Sequence, residues 1–441
     1  MDTATPAVLD AARASGNVPA AQLPAPPRTI EESGLGMPFL VELHAKVLSL
    51  RGESRLAQLA QHLKLPVTLV EAVLEFMRVE KLCEVKRRGG TDGDVQYTLT
   101  ESGRARAVEF LQKSQYAGAA PVSLDAYTRQ VQRQAIASMR VTLEDVNRAF
   151  EGLVIRTHLR EQLGAAMNSG RPMFLYGPAG SGKTFLAEKL LRLLNGAVAV
   201  PYAICVDNEV IQVYDPLVHH ARDSGMRGVP SIDRRQAADA RWVMCDRPVS
   251  ISGGELTMEM LNLEFDATSR FYQAPPHVKA NNGLFIVDDL GRQLISPQQL
   301  MNRWIVPMDR RRDYQALHNG YKFAIPFDVI LVFSTNLVPS QVADEAFLRR
   351  LGYKIHVGPL DRAEYRAIFV EVCEEYGIEY SEPAFDYLLR AHHEAGGKPM
   401  LACYPRDLIG QIRDFAQYRG VTPQLTGDAL DWAWGNYFAS H

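Results

Sequence analysis

Cysteine is scarce in this chain. Five residues in 441, Cys83, Cys205, Cys245, Cys373 and Cys403, are scattered and form no CxxC spacing. An odd, dispersed set argues against a disulfide framework and fits a reducing compartment, so a cytoplasmic location is expected. Long hydrophobic runs are missing too: none approaches the eighteen or so residues that span a bilayer, and no membrane insertion is expected. The opening Met-Asp-Thr-Ala-Thr lacks a basic region followed by an apolar stretch, so it does not read as a secretory signal. Net charge is small, −3, which removes any general attraction to nucleic acid and leaves that to local patches. What is abundant is apolar: 46% hydrophobic against 22% charged residues. This is ordinary for a globular chain, and the length is enough for two or three domains.

Composition shifts mark the organisation. Residues 1–36 are rich in Ala and Pro and poor in large apolar groups, so a flexible tail is expected there. Over 37–118, apolar spacing predicts helices at 38–50, 55–64 and 66–81, the last with Pro66 in its first turn. A strand, a Gly-rich turn and a second strand follow at 83–100, then a closing helix. Three helices followed by a hairpin resemble a winged helix-turn-helix domain. A linker, 119–140, leads to an α/β body over 141–360, with helices at 142–151 and 156–168. Its buried-type strands are MFLYG at 173–177, FIVDD at 285–289 and VILVFS at 329–334. Residues 361–441 show four helical stretches, 361–376, 383–395, 405–419 and 427–439, and no strand pattern, as in a small helical bundle. Trp432, Trp434, Tyr437 and Phe438 are expected to pack it.

The sharpest local signal is GPAGSGKT at 177–184, which fits the G-x-x-x-x-G-K-[ST] phosphate-binding loop between an apolar strand and a helix. Gly177, Pro178, Ala179, Gly180, Ser181, Gly182, Lys183, Thr184 and Phe185 are the candidate nucleotide-binding residues. Glycines let the backbone turn its N–H groups onto phosphate oxygens. Lys183 can reach the β- and γ-phosphates and Thr184 can ligate Mg²⁺. Asp288, ending an apolar strand, is a second Mg²⁺ ligand candidate, and Asp289 the candidate to polarise an attacking water. ATP and Mg²⁺ are thus the expected ligands.

With these residues in place the chain resembles AAA+ ATPases. The segment STN at 334–336 resembles sensor 1, which would make Asn336 the residue that helps place the water. DEAFLRRL at 344–351 resembles the arginine-finger segment, so Arg349 or Arg350 would enter a neighbouring subunit's site. YPRDL at 404–408 resembles sensor 2, which would bring Arg406 to the nucleotide from a helical lid. Asp289 stands where many members have Glu, which leaves catalytic efficiency open. The resemblance implies an α/β P-loop NTPase (AAA+) core with a parallel sheet, a C-terminal helical lid and an N-terminal winged helix-turn-helix domain. It also implies a homo-oligomeric, hexameric ring.

About 105 positions separate Lys183 from Asp288, where two strand–helix units need roughly 60. The excess, with ISGGELTMEMLNLEF at 251–265, resembles the helix-2 insert group that includes MoxR-type ATPases and enhancer-binding activators. Residues 312–328 read as a hairpin turning at Asn319-Gly320 and resemble that group's pre-sensor-1 hairpin, whose loops move with nucleotide state. SGGELTMEM stands where the activators carry GAFTGA, so remodelling of a protein partner is the leading expectation.

The third N-terminal helix sets Glu71, Glu75 and Glu80 against Arg78 and Lys81. That balance favours protein docking over DNA, despite a basic wing at Lys86, Arg87 and Arg88. A DNA-anchored ATPase and a nucleotide-dependent scaffold with weak turnover are the alternatives. Cys205, His219, His220 and Cys245 are metal-capable types at spacings unlike known zinc patterns. Arg310, Arg311 and Arg312 read as a solvated face or a subunit contact.

Overall fold

The computed structural model describes residues 23–88, 95–222, 238–342 and 344–438. They form two compact units between which the chain passes repeatedly. One gathers the described residues up to Arg140 with Leu194–Ile286 and Gln293–Leu331. The other gathers Val141–Leu193, Val287–Arg292 and the described residues from Val332 onward.

In the first unit, helices Met37–Arg51, Leu56–Leu63 and Val67–Val79 precede antiparallel strands Cys83–Arg88 and Val95–Leu99 and the helix Glu101–Lys113. Ser54–Arg55 adds a third strand beside Val95–Leu99. The third helix buries Leu69, Val70, Val73, Leu74 and Met77 at helical spacing and leaves Glu71, Glu75, Phe76 and Val79 outside. The turn expected between the two strands, residues 89–94, lies outside the described residues.

The expected flexible tail needs correcting from residue 23 on, while residues 1–22 lie outside the described residues. Thr29 caps a short helix, Ile30–Ser33; Leu35 is buried; and the Pro24 carbonyl accepts the Asp239 N–H at 2.8 Å. Arg241, buried and paired with Asp239 at 2.9 Å, donates to the carbonyls of Ser33 and Pro121. The segment is therefore held largely through its backbone, which composition does not reveal.

The stretch between Lys183 and Asp288 is rich in strands. Ala197–Pro201 pairs with Trp242–Asp246, and Ala203–Val206 with Glu209–Gln212. Glu264–Asp266 pairs with Phe271–Gln273, which runs parallel to Glu209–Gln212. The helical part of 251–265 is a 3-10 turn, Glu259–Leu261. His219 spends its ring on the Asp215 N–H and the Lys279 carbonyl.

The expected hairpin is Arg312–Ala316 against Lys322–Pro326, turning at Gly320 with φ +86°. Its tip is docked: the His318 ring bonds the Tyr272 hydroxyl, and Asn319 Nδ2 donates to Asp207 at 3.3 Å. At its base Asp313 is buried. It accepts from Arg303 at 2.6 and 2.8 Å, from His277 Nε2 at 2.8 Å and from Gln315 at 2.6 Å.

A five-stranded sheet has the order Val249–Ser252, Leu284–Val287, Ile330–Thr335, Met173–Tyr176, Tyr353–His356. Met173–Tyr176 is parallel to both of its neighbours. In the second unit, helices Arg362–Tyr376, Glu382–Leu388, Tyr404–Arg419 and Gly427–Phe438 close around Tyr365, Phe369, Phe385, Leu408 and Leu430. Trp434, Tyr437 and Phe438 pack on Tyr404, and Trp432 stacks on Phe415 at 4.0 Å. No strand occurs among the described residues from 361 on. No helix among them is long and apolar enough to cross a membrane, and the five cysteines are free thiols.

Candidate nucleotide site

Met173–Tyr176 sits between strands that come from far along the chain. Sheets of this kind take ligands beyond the carboxyl ends of such strands. The chain leaves this strand through Gly177, Gly180 and Gly182, at φ +151°, +80° and +91°. A Cβ at Gly177 would lie 2.1 Å from the Val357 carbonyl oxygen, and one at Gly180 would lie 2.4 Å from Cys403 Sγ. Space as well as dihedral angle therefore demands glycine at both. The helix Lys183–Lys189 follows directly.

Lys183 is buried, and its Nζ donates to the carbonyls of Gly177 (3.1 Å) and Pro178 (2.8 Å) and to Asn336 Oδ1 (2.8 Å). Burial pushes its pKa down, opposed by the carboxylates of Asp289 and Asp288. Thr184 Oγ1 donates to both Asp288 oxygens, at 3.0 and 2.8 Å. Asp289 holds a left-handed backbone, φ +48°, uncommon for a residue with a side chain, and stands 3.9 Å from Arg292. The Leu290 N–H donates to the Ser334 carbonyl at 2.8 Å and Thr335 Oγ1 to the Leu290 carbonyl at 2.6 Å. These bonds tie the acidic pair to the segment that presents Asn336.

Ser181 Oγ is buried and has no hydrogen-bond partner among the described residues. An unsatisfied buried hydroxyl costs about 1–3 kcal/mol, and a phosphate oxygen would satisfy it. With the glycine cradle and the Thr184–Asp288 pair, the donor set fits a nucleotide triphosphate and a divalent cation of the Mg²⁺ kind.

A cavity of about 700 Å³ opens over the loop, within the range of small-molecule sites. Ala179 to Phe185, Asp289, Asn336 and Arg406 all line it, together with apolar Ile155, Leu159, Ile368 and Val372. Gly177 and Pro178 contribute through the carbonyls that hold Lys183. Arg406 is brought in by the helix Tyr404–Arg419 and forms a two-pronged pair with Glu375 at 2.8 and 2.7 Å.

Arg349 and Arg350 are not among the lining residues. Arg349 is 75% exposed and pairs with Glu345 at 2.8 Å, while Arg350 donates to the Ala346 carbonyl.

Other lining residues carry no motif. Arg156 donates to both oxygens of Glu364 (3.0–3.1 Å) and to the Pro359 carbonyl (2.8 Å), joining the start of Thr157–Ser169 to the helix Arg362–Tyr376. The Cys403 N–H donates to the Gly180 carbonyl at 3.1 Å. Neither contact leaves a signal in local sequence, since each joins segments that are far apart in the chain.

Residues 152–302 match the profile of a family described as AAA ATPase domain. Residues 361–436 match one described as a domain of unknown function, DUF8689. No curated protein matches the chain in sequence. Among solved structures it is similar to NtrX from Brucella abortus in complex with ATP, at 15% identity and TM-score 0.39, over 64% of this chain and 57% of that one. It is also similar to the Holliday junction branch migration motor RuvB of Thermotoga maritima, at 13% identity and TM-score 0.35, over 66% and 68%. The chain thus spans a little over half the length of the NtrX chain it matches. With the phosphate loop, the five-stranded sheet and the helical C-terminal region, the chain has an AAA+ P-loop NTPase fold, and its residues 152–302 match the AAA ATPase domain profile.

Proposed function

We propose that this chain hydrolyses ATP and couples turnover to conformational change in a protein partner, working as a homo-oligomeric, hexameric ring in the cytoplasm. The observation that carries this reading is the convergence of Lys183, Thr184, Asp289, Asn336 and Arg406 on one cavity over an anion-binding loop, with Asp288 bonded to Thr184 behind it. Lys183 would exchange loop carbonyls for β- and γ-phosphate oxygens. Asp289 would accept a proton from the attacking water, and Asn336, released by Lys183, would orient that water. Thr184 and Asp288 would hold Mg²⁺, which when bound neutralises charge on the phosphates. Arg406 would pair with phosphate from the helical side, and exposed Arg349 or half-buried Arg350, both outside the lining of their own cavity, would complete a neighbour's site.

The strand-rich stretch before Asp288 and the hairpin before Asn336 support a MoxR-like layout. The N-terminal elements support a winged helix-turn-helix whose third helix, with Phe76 and Val79 exposed between Glu71, Glu75 and Glu80, favours a protein over duplex DNA.

Lys183→Ala is expected to lower ATP hydrolysis about 10²–10³-fold, as loss of one phosphate-directed donor does, read as phosphate release. Turnover unchanged by that substitution would remove the ATPase reading and leave a nucleotide-dependent scaffold. Arg349→Ala or Arg350→Ala is expected to lose turnover that returns on mixing with a subunit defective at Asp289. No loss from either would count against the ring. Stimulation by duplex DNA that falls steeply with salt would favour a DNA-anchored ATPase instead.

A further inference from the structure

The hairpin Arg312–Ala316 and Lys322–Pro326 presents chemistry that nucleotide hydrolysis does not use. Strand alternation sorts its side chains. Asp313, Gln315, Phe323 and Ile325 are buried, whereas Arg312, Tyr314, Ala316 and Lys322 face outward. The carboxylate of these strands, Asp313, is thus inside and spent on Arg303 and His277. The outward side is cationic and carries Tyr314, 55% exposed; Tyr321, at the end of the turn and outside the strand alternation, is 48% exposed.

Register places Tyr314 opposite Ala324 and Arg312 opposite Pro326. Ala324 and Pro326 line a second cavity, of about 450 Å³, with Val131 and Phe327 as apolar lining and Arg310, Arg311 and Arg312 as its basic lining. Two carboxylates also line it. Asp328 already accepts from the Ile136 N–H at 2.8 Å and from Asn282 at 2.6 Å; Asp125 is exposed and offsets part of the charge. An arginine at the C-terminal end of Pro297–Arg310 is accounted for by the helix dipole. Three in succession beside a cavity and two exposed tyrosines are not.

We propose that this face binds single-stranded nucleic acid. Arg310, Arg312 and Lys322 would take phosphates, Tyr314 would stack on a base, with Tyr321 at the turn as a second ring for the strand to meet, and the cavity would receive a splayed base. An acidic polypeptide would use the guanidinium groups but would have little use for two exposed ring faces. The docked tip, His318 and Asn319, is not the contact; the flat face is. The proposal goes beyond the hydrolysis reading, because none of these residues lines the nucleotide cavity.

The test is fluorescence anisotropy of a labelled oligothymidylate of roughly 20 nucleotides, with the full chain at low salt and without ATP. Wild type is expected to bind saturably. Tyr314→Ala should weaken binding about ten-fold, in line with the loss of one base stack, and Tyr314→Phe should restore it. Arg310→Ala with Arg312→Ala should weaken binding and flatten the dependence of log affinity on log salt by about 1.4, at about 0.7 per phosphate contact. Lys183→Ala should bind the strand as wild type does, and the face variants should keep basal ATP hydrolysis, so this proposal and the hydrolysis reading fail separately. Absence of saturable binding, or binding indifferent to these substitutions, overturns the proposal. Displacement by polyglutamate combined with an indifferent Tyr314→Ala overturns it in favour of an acidic protein segment.

Discussion

Asp289→Asn protein is expected to bind ATP about as tightly as wild type and to hydrolyse it about 10²–10⁴-fold more slowly, the range supplied by a positioned general base. The substitution is close to isosteric, and Asn adopts the left-handed backbone at this position, φ +48°, more readily than most residues. The loop that joins Asp288 to Leu290 should therefore keep its bonds to Ser334 and Thr335. What changes is chemical: an amide neither accepts a proton from water nor carries the charge that faces Arg292. Equilibrium binding of a fluorescent ATP analogue with phosphate release on the same sample separates the two effects. Wild-type turnover would take Asp289 out of the chemistry; loss of binding together with turnover would make it a structural residue. The same variant, holding ATP without consuming it, is the form in which a partner should co-purify.

The second large effect is on stability. Asp313→Ala is expected to destabilise the unit that contains it by about 3–5 kcal/mol, the usual result of removing one partner from a buried ion pair. That corresponds to a melting temperature lower by roughly 6–10 °C. The carboxylate is 1% exposed and receives Arg303, His277 and Gln315 at once. Without it the half-buried guanidinium loses its counter-charge and the His277 Nε2–H loses its acceptor, on a ring whose Nδ1 already lacks a partner among the described residues.

The pH dependence has a definite sign. Hydrogen bonds and charge from His277 and Arg303 outweigh burial and hold Asp313 well below the usual carboxylate range. A carboxylate with a depressed folded-state pKa contributes stability above its unfolded value and loses it as the pH falls, here from about pH 5 downward. His277 is lowered from its ordinary value, chiefly by burial. The unfolded chain therefore takes up that proton first, and stability begins to fall from about pH 6.5. Melting curves between pH 7 and pH 4 should show a steeper loss in wild type than in Asp313→Asn. Equal slopes would mean that Asp313 is not what titrates.

Much of the nucleotide site was legible because its parts are local. A phosphate loop needs a buried strand, glycines at fixed offsets, a lysine and a hydroxyl within a dozen residues, and all of these are consecutive in 173–184. Asp288 was readable because it ends a continuous apolar run, and the carboxyl ends of such strands face one side of the sheet; Asn336 was reached through the resemblance of residues 334–336 to sensor 1. That Trp434, Tyr437 and Phe438 pack the C-terminal helices was equally accessible from helical spacing; that they meet on Tyr404 was not. Arg156 was not, because its importance lies in Glu364, 208 positions away. Nor was the holding of residues 23–36, since Arg241 acts on backbone carbonyls there and leaves no apolar pattern to read. The excess length between Lys183 and Asp288 was visible in the spacing. Its strand-rich character was less so, since strands of three to five residues give little periodicity to detect.

By itself the sequence determined the phosphate-binding chemistry, the order of the acidic pair, Asn336 and Arg406, and the helical character of the C-terminal part. Each of these lies within one short segment, the phosphate loop, the acidic pair and the helices read from side chains and periodicity, Asn336 and Arg406 as candidates from the resemblance. Only the tertiary structure decided that Lys183 rests on Asn336, that Asp289 takes a left-handed backbone, that Asp313 turns inward to Arg303, and that Tyr314 turns outward beside the arginines. Those outcomes depend on which distant segments are brought within hydrogen-bond reach and which face of a strand meets a core. Neither the bond nor the face is encoded at a single position, because each exists only once the partner segment has packed against it.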